Sequence, residues 1–137
     1  MEKEKNRSEI SEQFKWDIEK MLSNKGEIND CIESVKEIVS NLVKYKGKIM
    51  ESGTSLYNKY HILNDYNRKI INLYVYSHML CDSDTKNVEN QSLKMRIDKF
   101  YEDTSEKLSF ILPEMLEYDF DYVLKLINEE PKLELYK

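Results

Sequence analysis

Few side chains in this sequence combine the type and spacing that chemistry needs. His78 and Cys81 lie three residues apart, so on a helix they would share a face. With His61 and Cys31 they could complete a four-ligand zinc set. The spacings that build such sites are missing, since there is no Cys-x-x-Cys and no His-x-x-x-His. Satisfied or exposed imidazoles and buried thiols are the favoured reading. Asp82-Ser83-Asp84 resembles the opening of a calcium loop. Lys86 then stands where an oxygen ligand belongs, Asn87 replaces the turn glycine and Leu93 replaces the bidentate Glu. Helix capping accounts for these residues instead.

The remaining chemistries find no handle. Gly26, Gly47 and Gly53 stand alone, so no glycine-rich loop can cradle a phosphate. There is no Gly-x-Ser-x-Gly elbow, and neither His is followed by Glu. Carboxylates are plentiful, but no pair is framed by an apolar pocket that sequence can reveal. Tyr57, Tyr60, Tyr66, Tyr74 and Tyr76 are dense enough to stack on bases or peptides. A helix core with some hydroxyls reaching water is the simpler reading. No catalytic, cofactor-binding or metal-binding residue is assigned.

The elements that would position these residues are helices. Gly and Pro are scarce, with three and two copies, and that favours long uninterrupted segments. Residues 1–13 read as a flexible charged arm, and 14–137 as a single helical domain. Asp17 is a candidate cap for a short helix reaching about Leu22. Asn24 with Glu27 has the spacing of a capping box. Ile28, Ile32, Val35, Val39, Leu42 and Val43 form one apolar stripe at helical period, predicting a helix over 27–46 that Gly47 ends.

A second helix is predicted over 55–80. Its stripe is Leu56, Tyr60, Leu63, Asn67, Ile70, Tyr74, Ser77 and Cys81, widened by Tyr66, Ile71 and Val75. A turn over 82–85 offers Ser83 or Asp84 as the next cap. A third helix is predicted over 85–112, with Leu93, Ile97, Phe100, Thr104, Leu108, Ile111 and Met115 along one side. Pro113 either kinks it or opens a new helix. A short amphipathic helix over 118–128 ends before Pro131. Short turns between long helices predict an all-α, up-down antiparallel bundle of three long helices with short flanking ones.

Composition excludes several roles. The chain has 137 residues, the size of one domain, and a net charge of −5. That balance argues against a general nucleic-acid binder, which must neutralise phosphates. No apolar run approaches the ~20 residues of a membrane span, and the charged start lacks a signal-peptide core. Two isolated cysteines point to a reducing, cytoplasmic setting.

Several local strings carry more information than any single site. Arg7-Ser8-Glu9-Ile10 and Phe14-Lys15-Trp16-Asp17-Ile18 resemble the R-x-E-I…Y-K-W-D-L opening of oligoendopeptidase F. Tyr45-Lys46-Gly47-Lys48-Ile49 resembles that family's G-K-L helix end. Tyr74-Val75-Tyr76-Ser77, with Asp82-Ser83-Asp84-Thr85, resembles Y-x-Y-A…D-x-D-T. Ser109-Phe110-Ile111-Leu112-Pro113-Glu114-Met115-Leu116 resembles S-F-x-x-P-E-x-L. The order and spacing of the strings also fit. Phe14 for Tyr, and Ile18 and Ile49 for Leu, keep apolar character.

The resemblance implies the N-terminal helical domain of a zinc metallopeptidase, forming one wall of a channel that admits oligopeptide substrates. Its zinc would sit on a His-Glu-x-x-His motif and a downstream Glu, none with a counterpart here. The implied partner is the missing catalytic domain of the same chain. That domain would cover the Trp16 region and the tail from Pro131 to Tyr136. Cut free of that domain, the chain is expected to expose apolar surface that a homo-dimer would cover; a stand-alone helical protein-interaction or dimerisation module is the competing expectation.

Overall fold

An apolar side chain every three or four residues makes one side of α1 (Lys25–Val43) a continuous stripe. Ile28, Ile32, Val35, Val39 and Leu42 are all buried along it. Val43 is the exception: it lies at the helix end and is exposed. The computed structural model describes residues 5, 7–22 and 25–136. It is all-α, and no strand occurs among the described residues. The candidate cap Asn24 lies outside them.

The second element, α2 (Gly53–Ser83), is longer than the periodicity predicts at both ends. Ser52 caps it, its side chain accepting from the Ser55 N–H at 3.1 Å. The third, α3 (Val88–Leu108), is shorter than predicted. Its cap is Asn87, whose Oδ1 accepts from the Asn90 N–H, so neither Ser83 nor Asp84 plays that part. Ser83 still belongs to α2 and donates to the Leu80 carbonyl. Pro113 sits in the first turn of a separate helix, α4 (Ile111–Leu116), where its missing N–H costs nothing. Asp119 caps α5 (Phe120–Glu129) by accepting from the Tyr122 N–H at 2.8 Å. Short 3₁₀ turns occupy Arg7–Glu9, Glu12–Phe14, Ile18–Lys20 and Pro131–Tyr136. Asp17 precedes the third of these without a capping hydrogen bond and pairs with Lys20 instead.

Helix α2 packs against α1, α3 and α5, and α1 against α3. The observed contact face of α2 departs from the predicted stripe. Tyr66 is buried as expected beside Leu56 and Ile70, but Leu73 and Tyr76, which lie off the stripe, are buried too, whereas Asn67, Tyr74, Ile71 and Val75 are exposed. A helix flanked by two others buries parts of two faces, so a single stripe describes it poorly. Cross-helix hydrogen bonds fix the fit. Lys69 donates to Ser34 at 2.7 Å, and Tyr66 and Thr104 hydroxyls meet at 3.0 Å in the interior.

Two apolar clusters result. One joins Ile18 and Leu22 to α1, α2 and α3 through Val35, Leu73 and Ile97. The other joins Ile49, Met50 and Leu56 to Leu126, Ile127 and Leu133. Phe110 and Ile111 pack against both. Gly53 permits the second cluster, because a Cβ there would strike the Leu126 carbonyl oxygen.

Candidate functional site

The most elaborate polar arrangement closes the turn between α1 and α2. Gly47 adopts φ +79°, a left-handed conformation that glycine reaches without strain. The turn presents two N–H groups to one carboxylate. Glu114 Oε2 accepts from Gly47 N and Oε1 from Ile49 N, each at 2.8 Å. Between them the Lys48 carbonyl accepts from the Lys59 ammonium, which also donates to Ser55 Oγ. Lys59 is only 5% exposed and lies 4.6 Å from the Tyr45 ring centroid. Burial pulls its pKa below the ordinary 10.5, against the opposing pull of Glu51 and Glu114. Tyr122 adds a hydroxyl bond to the Met50 carbonyl at 2.9 Å.

A second cluster bridges α2 and α3 at the surface. Asp98 accepts from Lys94 at 2.8 Å and contacts His78 Nε2 at 2.8 Å. The Tyr74 ring stacks on His78 at 4.0 Å, and Tyr101 tilts against Tyr74 at 5.6 Å. Burial tends to raise the Asp98 carboxyl, but the bonds from Lys94 and His78 outweigh it and hold it below 3.8. These residues line an open groove with Ile71 and Glu102.

The zinc candidates do not converge. His61 and His78 lie on the same helix, 17 residues apart, which is about 25 Å along its axis. His61 is exposed and stacks loosely on Tyr57, while Cys31 faces the Lys69 carbonyl. Burial raises the Cys31 thiol pKa, which leaves it a poor nucleophile. Among the described residues, no group of three or more His, Cys, Asp or Glu is placed to hold a metal ion. The Asp84 side chain accepts from the Lys86 N–H, and Asn87 caps α3, so this turn is occupied with helix ends. Of the five tyrosines, Tyr66 and Tyr76 are buried, Tyr57 and Tyr60 pack against Tyr136, and Tyr74 is exposed.

Lys59, Glu114 and Asp98 received no role from sequence. Lys59 had a signal, a cation three residues after Leu56 and four before Leu63 on an apolar stripe. Asp98 had the weaker one of Lys94 four residues earlier. Glu114 had none beyond its place in a matched string, because its partners are 65 and 67 residues away.

Apolar side chains are also left in solvent. Phe14 and Trp16 are each 74% exposed, Leu116 is 74% and Leu135 is 84%. Leu133 is buried, so the tail is anchored at one residue and open at the next. No helix among the described residues is long and apolar enough to cross a membrane.

The strings quoted from the sequence meet in this geometry. Arg7 donates to the Trp16 carbonyl at 3.1 Å, joining the first two. Glu114 joins the Pro-Glu string to the Gly-Lys-Ile turn. Known proteins are similar to this chain over most of its length. Oligopeptidase PepF of Bacillus subtilis is 31% identical over 95% of this chain, which covers 19% of that protein. Group B oligopeptidase PepB of Streptococcus agalactiae is 26% identical over 96% of the chain and 22% of its own length. The crystal structure of oligoendopeptidase-F from Enterococcus faecium superposes with TM-score 0.74 and 28% identity, over 82% of this chain and 22% of that one. No protein-family model matches the chain. The chain thus spans about one fifth of the length of the relatives it matches.

Proposed function

We propose that this chain, which shares sequence and fold with about one fifth of oligoendopeptidase F, is the non-catalytic N-terminal helical domain of a peptidase of that kind. Its part is to form one wall of the channel through which short peptides reach the catalytic domain. The similarity along nearly the whole chain carries this reading. The Glu114 clasp supports it, because matched strings distant in sequence build one local structure.

In this reading zinc and its His-Glu-x-x-His ligands belong to the remainder of the enzyme. No side chain of this chain acts as acid, base or metal ligand. The contribution is steric, since a narrow channel admits an extended peptide and turns away a folded protein. The setting is cytoplasmic, and nucleic acid is not a partner of a chain with net charge −5. A stand-alone helical module that pairs with itself or another helix is the second reading, favoured by the exposure of Phe14 and Trp16.

The test is incubation of the pure chain with an internally quenched oligopeptide, with and without added zinc. No turnover is expected. Turnover abolished by a chelator would overturn the assignment of a non-catalytic role.

A further inference from the structure

Helix α4 is apolar on two sides. Ile111 and Met115 turn inward against the second cluster. Leu112 and Leu116, one turn apart, share the outward face at 64% and 74% exposure. Phe120 follows at the start of α5, 73% exposed. A helix apolar on both sides is the kind found between two layers, and among the described residues only its inner side is covered.

The surroundings of this face restrict what can cover it. Glu117, Asp119 and Asp121 are all exposed, and no Lys or Arg occurs between Lys107 and Lys125. Lys46 lies over the Phe110 ring, and Lys125 pairs with Glu129. A second copy meeting the first about a two-fold axis would set this acidic rim against itself. That juxtaposition of like charges is unfavourable.

We infer that Leu112, Leu116 and Phe120 form a docking face for an apolar surface rimmed with Lys or Arg, supplied by the remainder of the peptidase chain. The inference rests on the proposed function for the source of that surface. The relatives offer ample chain for it, since this chain covers only 19% of the Bacillus protein. Tethering in one polypeptide would also raise the effective concentration of that surface above a second copy's.

Two measurements test it. The first titrates the chain with an amphipathic helical peptide of Leu and Lys, and with its counterpart of Leu and Glu. The Leu/Lys peptide is expected to bind at least tenfold more tightly than the Leu/Glu peptide. Leu112→Ser with Leu116→Ser should lose at least tenfold in that binding, without a change in charge. Equal binding by the variant, or a wild-type dimer that the variant abolishes, would overturn the docking chemistry. The second places the chain in Bacillus subtilis PepF in place of the segment it matches. A cysteine at Leu116 should label at least tenfold more slowly there than in the free chain, while one at exposed Met95 should not change. Undiminished labelling at Leu116 would overturn the assigned source. Peptide hydrolysis plays no part in either readout, so the channel-wall reading can fail while the docking face stands.

Discussion

The Glu114 carboxylate spans the Gly47 and Ile49 N–H groups, one oxygen to each, at 2.8 Å. One side chain of α4 thereby fixes the turn that reverses the chain between α1 and α2. Ile49 is buried, so its N–H has no ready exchange for water if the carboxylate is removed.

Glu114→Ala should therefore cost about 1–3 kcal/mol of stability, as expected for a buried donor left unmatched. Glu114→Gln keeps one acceptor oxygen and should lose less. Urea unfolding of the three proteins checks the order. An alanine variant as stable as the parent would show that the clasp contributes nothing.

Lys59 links stability to alkaline pH. Its folded pKa is depressed by burial below the 10.5 of an exposed lysine. Between those two values the unfolded chain binds a proton that the folded chain does not, so stability rises with pH. The gain is complete above 10.5 and is lost as pH falls through the folded value. Tyr76 works oppositely: burial, with Glu19 and Glu27 adding to it, raises its pKa above 10.0, so stability falls as pH climbs from there. Both proteins in a comparison with Lys59→Met carry Tyr76, so the difference between their urea midpoints isolates Lys59. That difference should move in favour of wild type from neutral pH toward 10.5. A pH-independent difference would contradict the account.

The Tyr66–Thr104 pair predicts an asymmetry. Thr104 Oγ1 also donates to the Phe100 carbonyl at 2.9 Å, so Tyr66→Phe removes one bond and should cost about 0.5–1.5 kcal/mol. Thr104→Val leaves the Tyr66 hydroxyl buried without its partner and should cost about 1–3 kcal/mol. The double variant should lose less than the two losses added. Additive losses in a double-mutant cycle would mean that the two hydroxyls are not coupled.

The legible part of this fold was the part with one buried face. On α1 the spacing of Ile28, Ile32, Val35, Val39 and Leu42 maps onto burial residue by residue. Ile97, Thr104 and Leu108 do the same on α3. Helix α2 was harder to read, because contact with α1 and α3 together buries Leu73 and Tyr76 off the expected stripe while Tyr74 stays outside. The break at Ser109 was hidden because Leu108 and Ile111 continue the same apolar period across it. The clasp was illegible for another reason. Hydrogen bonds between Glu114 and a turn more than sixty residues away leave no local pattern. Only the likeness of both strings to one family hinted that they belong together.

The most direct test of the central claim is peptide hydrolysis by Bacillus subtilis PepF whose matched segment is replaced by this chain. A deletion of that segment serves as the reference. The account predicts that the chimera cleaves a quenched oligopeptide while leaving a folded protein intact, and that the deletion loses activity or that discrimination. A folded chimera that behaves no differently from the deletion would contradict it.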